Sequence, residues 1–89
     1  MRSGSMRNEI IKYIVGYIEK KGKLPDNIDV ETFDYVITGY LDSLAVFKFV
    51  VDIESKYDIE FSEDDLMIPE IKTIGGMADI IENLVKVTK

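Results

Sequence analysis

Apolar residues return at helical spacing in three stretches of the chain, and the longest gap between those stretches is polar but still threaded with apolar side chains. From Met6 to Lys21, Ile11, Ile14, Val15 and Ile18 fall at i, i+3, i+4 and i+7, the stripe of an amphipathic helix, and Ile10, Tyr13 and Tyr17 widen it. Lys20, Lys21 and Lys23 offset the negative end of the helix dipole, and Gly22 with Pro25 supplies a stop signal. Residues 24–42 mix turn formers such as Pro25, Asp26, Asn27 and Gly39 with spaced apolar residues: Leu24, Ile28, Val30, Phe33, Val36, Ile37 and Leu41. A connection this long is uncommon unless functional or pinned to the core, so the pattern predicts an ordered loop with a helical turn near residues 31–35.

Residues 43–57 predict a second helix with apolar side chains on two opposite faces. Val46, Phe49, Val50, Ile53 and Tyr57 form the inward stripe, whereas Leu44, Phe47 and Val51 fall on the far side among Lys48, Glu54 and Ser55. A helix apolar on both sides is either wholly buried or presents one face to a partner. Ser62 followed by Glu63, Asp64 and Asp65 reads as the capped start of a short third helix that Pro69 limits. Thr73 can cap a last helix whose apolar residues Ile74, Met77, Ala78, Ile81, Leu84 and Val85 keep the helical period. Gly75 and Gly76 in its first turn cost about 1 kcal/mol each relative to alanine. With no convincing strand alternation and no repeat, the expected fold is all-α, with three principal helices and one short one.

Composition narrows the function more than the fold. At 89 residues the chain can bury one modest core. Residues 1–5 read as an expression-tag remnant ahead of a natural start at Met6, leaving 6–89 as a single domain. There is no cysteine and no histidine, which removes thiol chemistry, the commonest general base and the commonest metal ligand. An enzyme is therefore not expected, and neither is a metal site. Asp58 to Asp65 suggests a calcium loop, but an EF-hand starting at Asp58 would have Glu63 where glycine is needed and Pro69 where glutamate is needed. Gly75-Gly76 lacks the lysine of a P-loop. No apolar run reaches the roughly 18 residues of a membrane span and no export leader is visible, so a cytoplasmic protein is expected.

The net charge of −6 is unevenly placed. Residues 1–23 hold six Lys/Arg against two acids; residues 24–89 hold five against fifteen, a formal charge of −10. Such a surface repels nucleic acid and steers toward basic protein patches.

One short segment carries a more specific reading. Gly39-Tyr40-Leu41-Asp42-Ser43-Leu44 stands where the long loop enters the doubly apolar helix. By itself it is a helix cap, with Asp42 or Ser43 accepting from the free N–H groups of the first turn. In its setting it resembles the Asp-Ser-Leu attachment site of the acyl carrier protein family, and the likeness runs from Met6 to about Val87. The resemblance implies a four-helix bundle with a long ordered loop between helices 1 and 2. It also implies 4'-phosphopantetheine attached at Ser43 by a phosphopantetheinyl transferase, and Asp42 in recognition by that transferase. Leu44, Phe47 and Val51, with Glu54 beside them, correspond to the family's partner-binding face. The implied partners are an acyl- or aminoacyl-loading ligase and downstream acyl-transfer enzymes with basic docking patches, served by a monomeric carrier in fatty-acid, lipid, polyketide or related biosynthesis. The Gly-x-Leu-Asp-Ser form, with Lys48 and Lys56 interrupting the acidic face, is more similar to D-alanyl carriers and to stand-alone carriers of specialised pathways. Phe47, Val51, Ile68, Ile74 and Met77 are the residues expected to line an acyl cavity. The competing expectation is an unmodified helical interaction module that uses the same apolar face of helix 2.

Overall fold

The computed structural model of the chain describes residues 3–88, and side chains from Met6 to Val87. Four α-helices follow in order: α1 (Ser3–Ile18), α2 (Ser43–Tyr57), α3 (Glu63–Met67) and α4 (Ile74–Thr88), with a 3-10 turn at Pro69–Lys72 between the last two. Among the described residues there is no strand, only an isolated antiparallel bridge between Asp34 and Thr73. The fold is the expected all-α bundle.

The core is built from the predicted stripes. Ile10, Ile14 and Ile18 of α1, Phe49, Val50 and Ile53 of α2, and Ile74, Met77, Ala78, Ile81 and Val85 of α4 are buried together. Each large aliphatic side chain so removed from water stabilises the fold by roughly 1.5–3 kcal/mol before entropy is counted. On α1 the buried line runs i, i+4, i+8, with Ile11, Val15, Tyr13 and Tyr17 half-buried to either side. Tyr17 and Phe49 stack with centroids 4.1 Å apart and planes 25° from parallel, and Tyr35 meets Phe49 edge-on at 6.2 Å. Tyr13 lies 6.0 Å from Tyr57 in a T-shaped pair, so aromatic rings gather along one side of α2.

α1 ends at Ile18 rather than at Lys21. Past it the backbone tightens to three-residue spacing, with Lys21 N–H donating to Ile18 O at 3.0 Å and Gly22 N–H to Glu19 O at 3.2 Å. The lysines thus follow the helix end.

The long loop is ordered, but not by a turn of helix at 31–35. Phe33 and Asp34 run beside the start of α4, and the tight turn comes after them: the Asp34 carboxylate accepts from Val36 N–H at 2.9 Å and Ile37 N–H at 2.8 Å. That turn throws Ile37, expected to be a pin, out to 83% exposure. Tyr35, absent from the expected pins, takes its place. It is wholly buried, its hydroxyl donates to Ile71 O, and its N–H donates to Lys72 O at 3.0 Å. The loop also serves α4, whose first N–H groups have no partner within the helix: Ile74 N–H donates to Phe33 O at 3.1 Å and Gly75 N–H to Glu31 O at 3.0 Å. Gly75 and Gly76 permit that approach. A Cβ on Gly75 would lie 2.5 Å from Glu31 O, and one on Gly76 2.7 Å from the Glu70 carbonyl carbon.

Arg7 fastens the same region from α1, pairing with Glu31 of the loop at 2.5 Å, with Asp79 and with Glu82 of α4 at 3.6 Å. The acidic stretch before α3 is explained by a capping box: Ser62 Oγ accepts from Asp65 N–H at 3.1 Å while Asp65 Oδ2 accepts from Ser62 N–H at 3.0 Å. Three of the acids of the calcium-loop reading, Glu63, Asp64 and Asp65, are thereby placed in a helix start.

Candidate functional site

Leu41, buried at the end of the loop, anchors the entry to α2, and its N–H donates to Tyr35 O at 2.9 Å. Asp42 follows in extended conformation as the N-cap, its Oδ1 accepting from Ala45 N–H at 2.8 Å and its carbonyl from Val46 N–H at 2.9 Å. Of the two possible caps, the structure uses Asp42. That leaves Ser43 as the first helical residue, exposed, with no hydrogen-bond partner for its hydroxyl among the described residues. A capping job would have turned the oxygen back onto the helix.

The apolar strip on the outer side of α2 is uncovered. Leu44 is 79% exposed, Phe47 59% and Val51 61%. Glu54 differs from its expected setting. It is half-buried, its Oε2 accepts from Phe61 N–H at 2.8 Å, and its carbonyl receives the N–H of Asp58, the left-handed residue that closes the helix. One of its carboxylate oxygens is therefore committed to holding the segment that follows α2. Met67, at the end of α3, is exposed to a similar degree as Leu44 and escaped the sequence reading, because a five-residue helix carries too little periodicity to assign a face.

A cleft of about 170 Å³ opens beside Ser43, lined by Ser43, Val46, Phe47 and Val50 of α2, Val36 of the loop, Leu66 of α3, and Ile71 and Lys72 of the 3-10 turn. Only Phe47 of the five residues expected to line such a space does so. Ile74 and Met77 are sealed in the core, Val51 lies on the solvent side of α2, and Ile68 is partly exposed outside the cleft. The periodicity held the right answer: Ser43, Val46, Phe47 and Val50 stand at i, i+3, i+4 and i+7 and share one helix face, whereas Val51 is one position further round.

The Ser43 hydroxyl is open to solvent, and a flexible chain joined there would begin at the mouth of an apolar cleft. The helix start favours a phosphate at that position through its dipole. The residues therefore fit a phosphate-linked arm.

Comparison with known families agrees. The family model described as the phosphopantetheine attachment site matches residues 38–81, from the last loop residues through α2, α3 and the 3-10 turn into α4. No curated protein and no solved structure matches the chain. The all-α bundle, the Asp-Ser-Leu segment at the head of α2 and the family match lead to one conclusion: the chain belongs to the acyl carrier protein family, whose covalent group is 4'-phosphopantetheine.

Proposed function

We propose that the chain holds an acyl or aminoacyl group as a thioester on 4'-phosphopantetheine joined to Ser43, and delivers it to partner enzymes in fatty-acid, lipid, polyketide or related biosynthesis. The observation that carries this reading is the Ser43 hydroxyl, exposed at the first position of α2 and opening onto the apolar cleft. In the modification, Ser43 Oγ forms a bond to the pantetheine-bearing phosphorus of coenzyme A, the adenosine bisphosphate leaves, and the serine proton passes to a base on the transferase. The arm then supplies a thiol on which cargo is carried.

The remaining residues present and steer. Asp42, fixed by its cap to Ala45, offers a carboxylate beside the hydroxyl to the transferase. Leu44, Phe47 and Val51 dock the transferase, the loading ligase and the acyl-transfer enzymes in turn, and the formal charge of −10 over residues 24–89 draws their basic patches near. Glu54 contributes its uncommitted oxygen to the same edge. Carrier domains do not catalyse, and on this reading the chain is no enzyme but a cytoplasmic monomer; no helix among the described residues is long and apolar enough to cross a membrane.

Intact mass after incubation with coenzyme A and a broad-specificity transferase tests the proposal. The wild type gains the mass of one arm and Ser43→Ala gains none; a wild type that stays unmodified sinks it. The uncovered strip of α2 also suits an unmodified interaction module. In that case Ser43→Ala would keep partner binding and cellular function intact.

A further inference from the structure

We propose that Lys72 is a positioning residue that holds the phosphodiester of the arm at the rim of the apolar cleft and so turns the arm toward the cleft rather than into solvent. This inference rests on the Ser43 reading above. Six of the eight residues lining the cleft are apolar; the other two are Ser43 and Lys72, one from each side. Lys72 is the single charged residue of that lining.

The backbone that presents Lys72 is held in place. Its carbonyl accepts from Tyr35 N–H at 3.0 Å, the preceding carbonyl of Ile71 accepts from the buried Tyr35 hydroxyl, and the following residue, Thr73, donates its N–H to Glu70 O at 3.1 Å. The lysine stem therefore starts from a fixed point on the cleft wall opposite α2, and the residue as a whole is exposed. Its ammonium head has no carboxylate within 4.0 Å among the described residues, where the ion pairs are all made by Arg7. In a stretch with fifteen acids and five lysines, a cation left without a carboxylate at the cleft is available to another anion.

The arm brings that anion. A phosphodiester bears one negative charge, and its bond to Ser43 Oγ keeps it at the cleft whatever the cargo. Asp42, the adjacent residue, repels it, and the Asp42 carboxylate already takes the Ala45 N–H of the helix start. Lys72 supplies the offsetting charge, as a point cation that meets phosphate without a demanding geometry. Lys48 is not placed to substitute, since five residues beyond Ser43 put it about 140° around the helix. Lys56 sits over the rings of Tyr13 and Tyr57, 5.1 and 5.6 Å from their centroids. With the phosphate held at the rim, the first carbons of the arm lie over Val46 and Phe47.

Phosphorus NMR of the arm-bearing protein, checked by intact mass, tests the assignment at low and high salt. In Lys72→Met the phosphodiester resonance moves from its wild-type position by more than its linewidth. The difference disappears at about 1 M salt, where the screening length is ~3 Å. Lys72→Arg and the control Lys48→Met keep the wild-type position. An arm-bearing Lys72→Met whose resonance coincides with wild type at low salt overturns the role of Lys72 and leaves the Ser43 reading standing. A wild type that accepts no arm overturns both.

Discussion

Gly75 and Gly76 show how a single atom decides between local propensity and tertiary fit. Helix propensity favours alanine over glycine by about 1 kcal/mol, so Gly76→Ala ought to stabilise α4 if the helix stood alone. In the bundle the added Cβ meets the Glu70 carbonyl carbon at 2.7 Å, and on Gly75 it meets the Glu31 backbone. Gly76→Ala is expected to destabilise the protein by about 2 kcal/mol or more, read as a lower urea midpoint, because backbone must shift to make room. A midpoint at or above wild type would show that the 3-10 turn yields easily. Sequence reasoning saw these glycines only as a local cost. Their purpose lies in the approach of two segments distant along the chain, which no window of consecutive residues displays. The same holds for Tyr35, whose burial depends on Ile71 and Lys72. The placement of Ser43 at the head of α2, by contrast, was legible, because it follows from its immediate neighbours and from a helix-start pattern.

At the scale of the element, α2 carries three surfaces on one cylinder: a buried stripe, a cleft face beginning at Ser43, and an uncovered strip. The first and third were readable from residues 43–57, since their exposure follows from the period alone. The cleft face was misread because the other wall comes from α3 and the 3-10 turn, elements too short to announce a face. Substitutions separate the surfaces. Phe49→Ala, buried and stacked on Tyr17, is expected to cost about 3–5 kcal/mol of stability. Leu44→Glu should leave stability within about 0.5 kcal/mol of wild type. It should nevertheless slow arm transfer by the transferase about tenfold in kcat/KM, equivalent to ~1.4 kcal/mol of docking. Unchanged transfer by Leu44→Glu would remove this strip from the docking role. For the cleft, loading with an octanoyl group is expected to move the amide resonances of Val46, Phe47, Val50, Leu66 and Ile71 relative to the unloaded carrier, through partial insertion of the chain. Unmoved resonances would mean that the cargo stays outside.

For the molecule as a whole, stability at high pH is tied to its tyrosines. Burial pushes Tyr17 up to about 12 from the ordinary value of 10.0, helped by the hydrogen bond its hydroxyl donates to Asp52 at 3.0 Å. Burial raises Tyr35 further, beside Asp34. Both groups hold their protons more tightly folded than unfolded, so their contribution is complete below pH 10.0; that of Tyr17 is lost as pH climbs through about 12, and that of Tyr35 at higher pH still. Urea midpoints should therefore be flat with respect to these groups below 10.0 and fall above it, with the fall shallower in Tyr17→Phe. A midpoint that stays level up to about 12 would contradict the burial of these phenols. The wider architecture was legible because three long stripes leave few ways to bury them, whereas the loop's path was set by hydrogen bonds to α4 and the 3-10 turn that the stripes do not encode.

The gathering of Tyr13, Tyr17, Tyr35 and Tyr57 about α2, in a chain with no tryptophan, has an optical consequence. Ultraviolet emission from this protein is tyrosine light alone, and four of its five sources sit around the helix that bears Ser43. Tilting or shifting of that helix as cargo arrives or a visiting enzyme departs would be visible as a change in brightness, with no dye added.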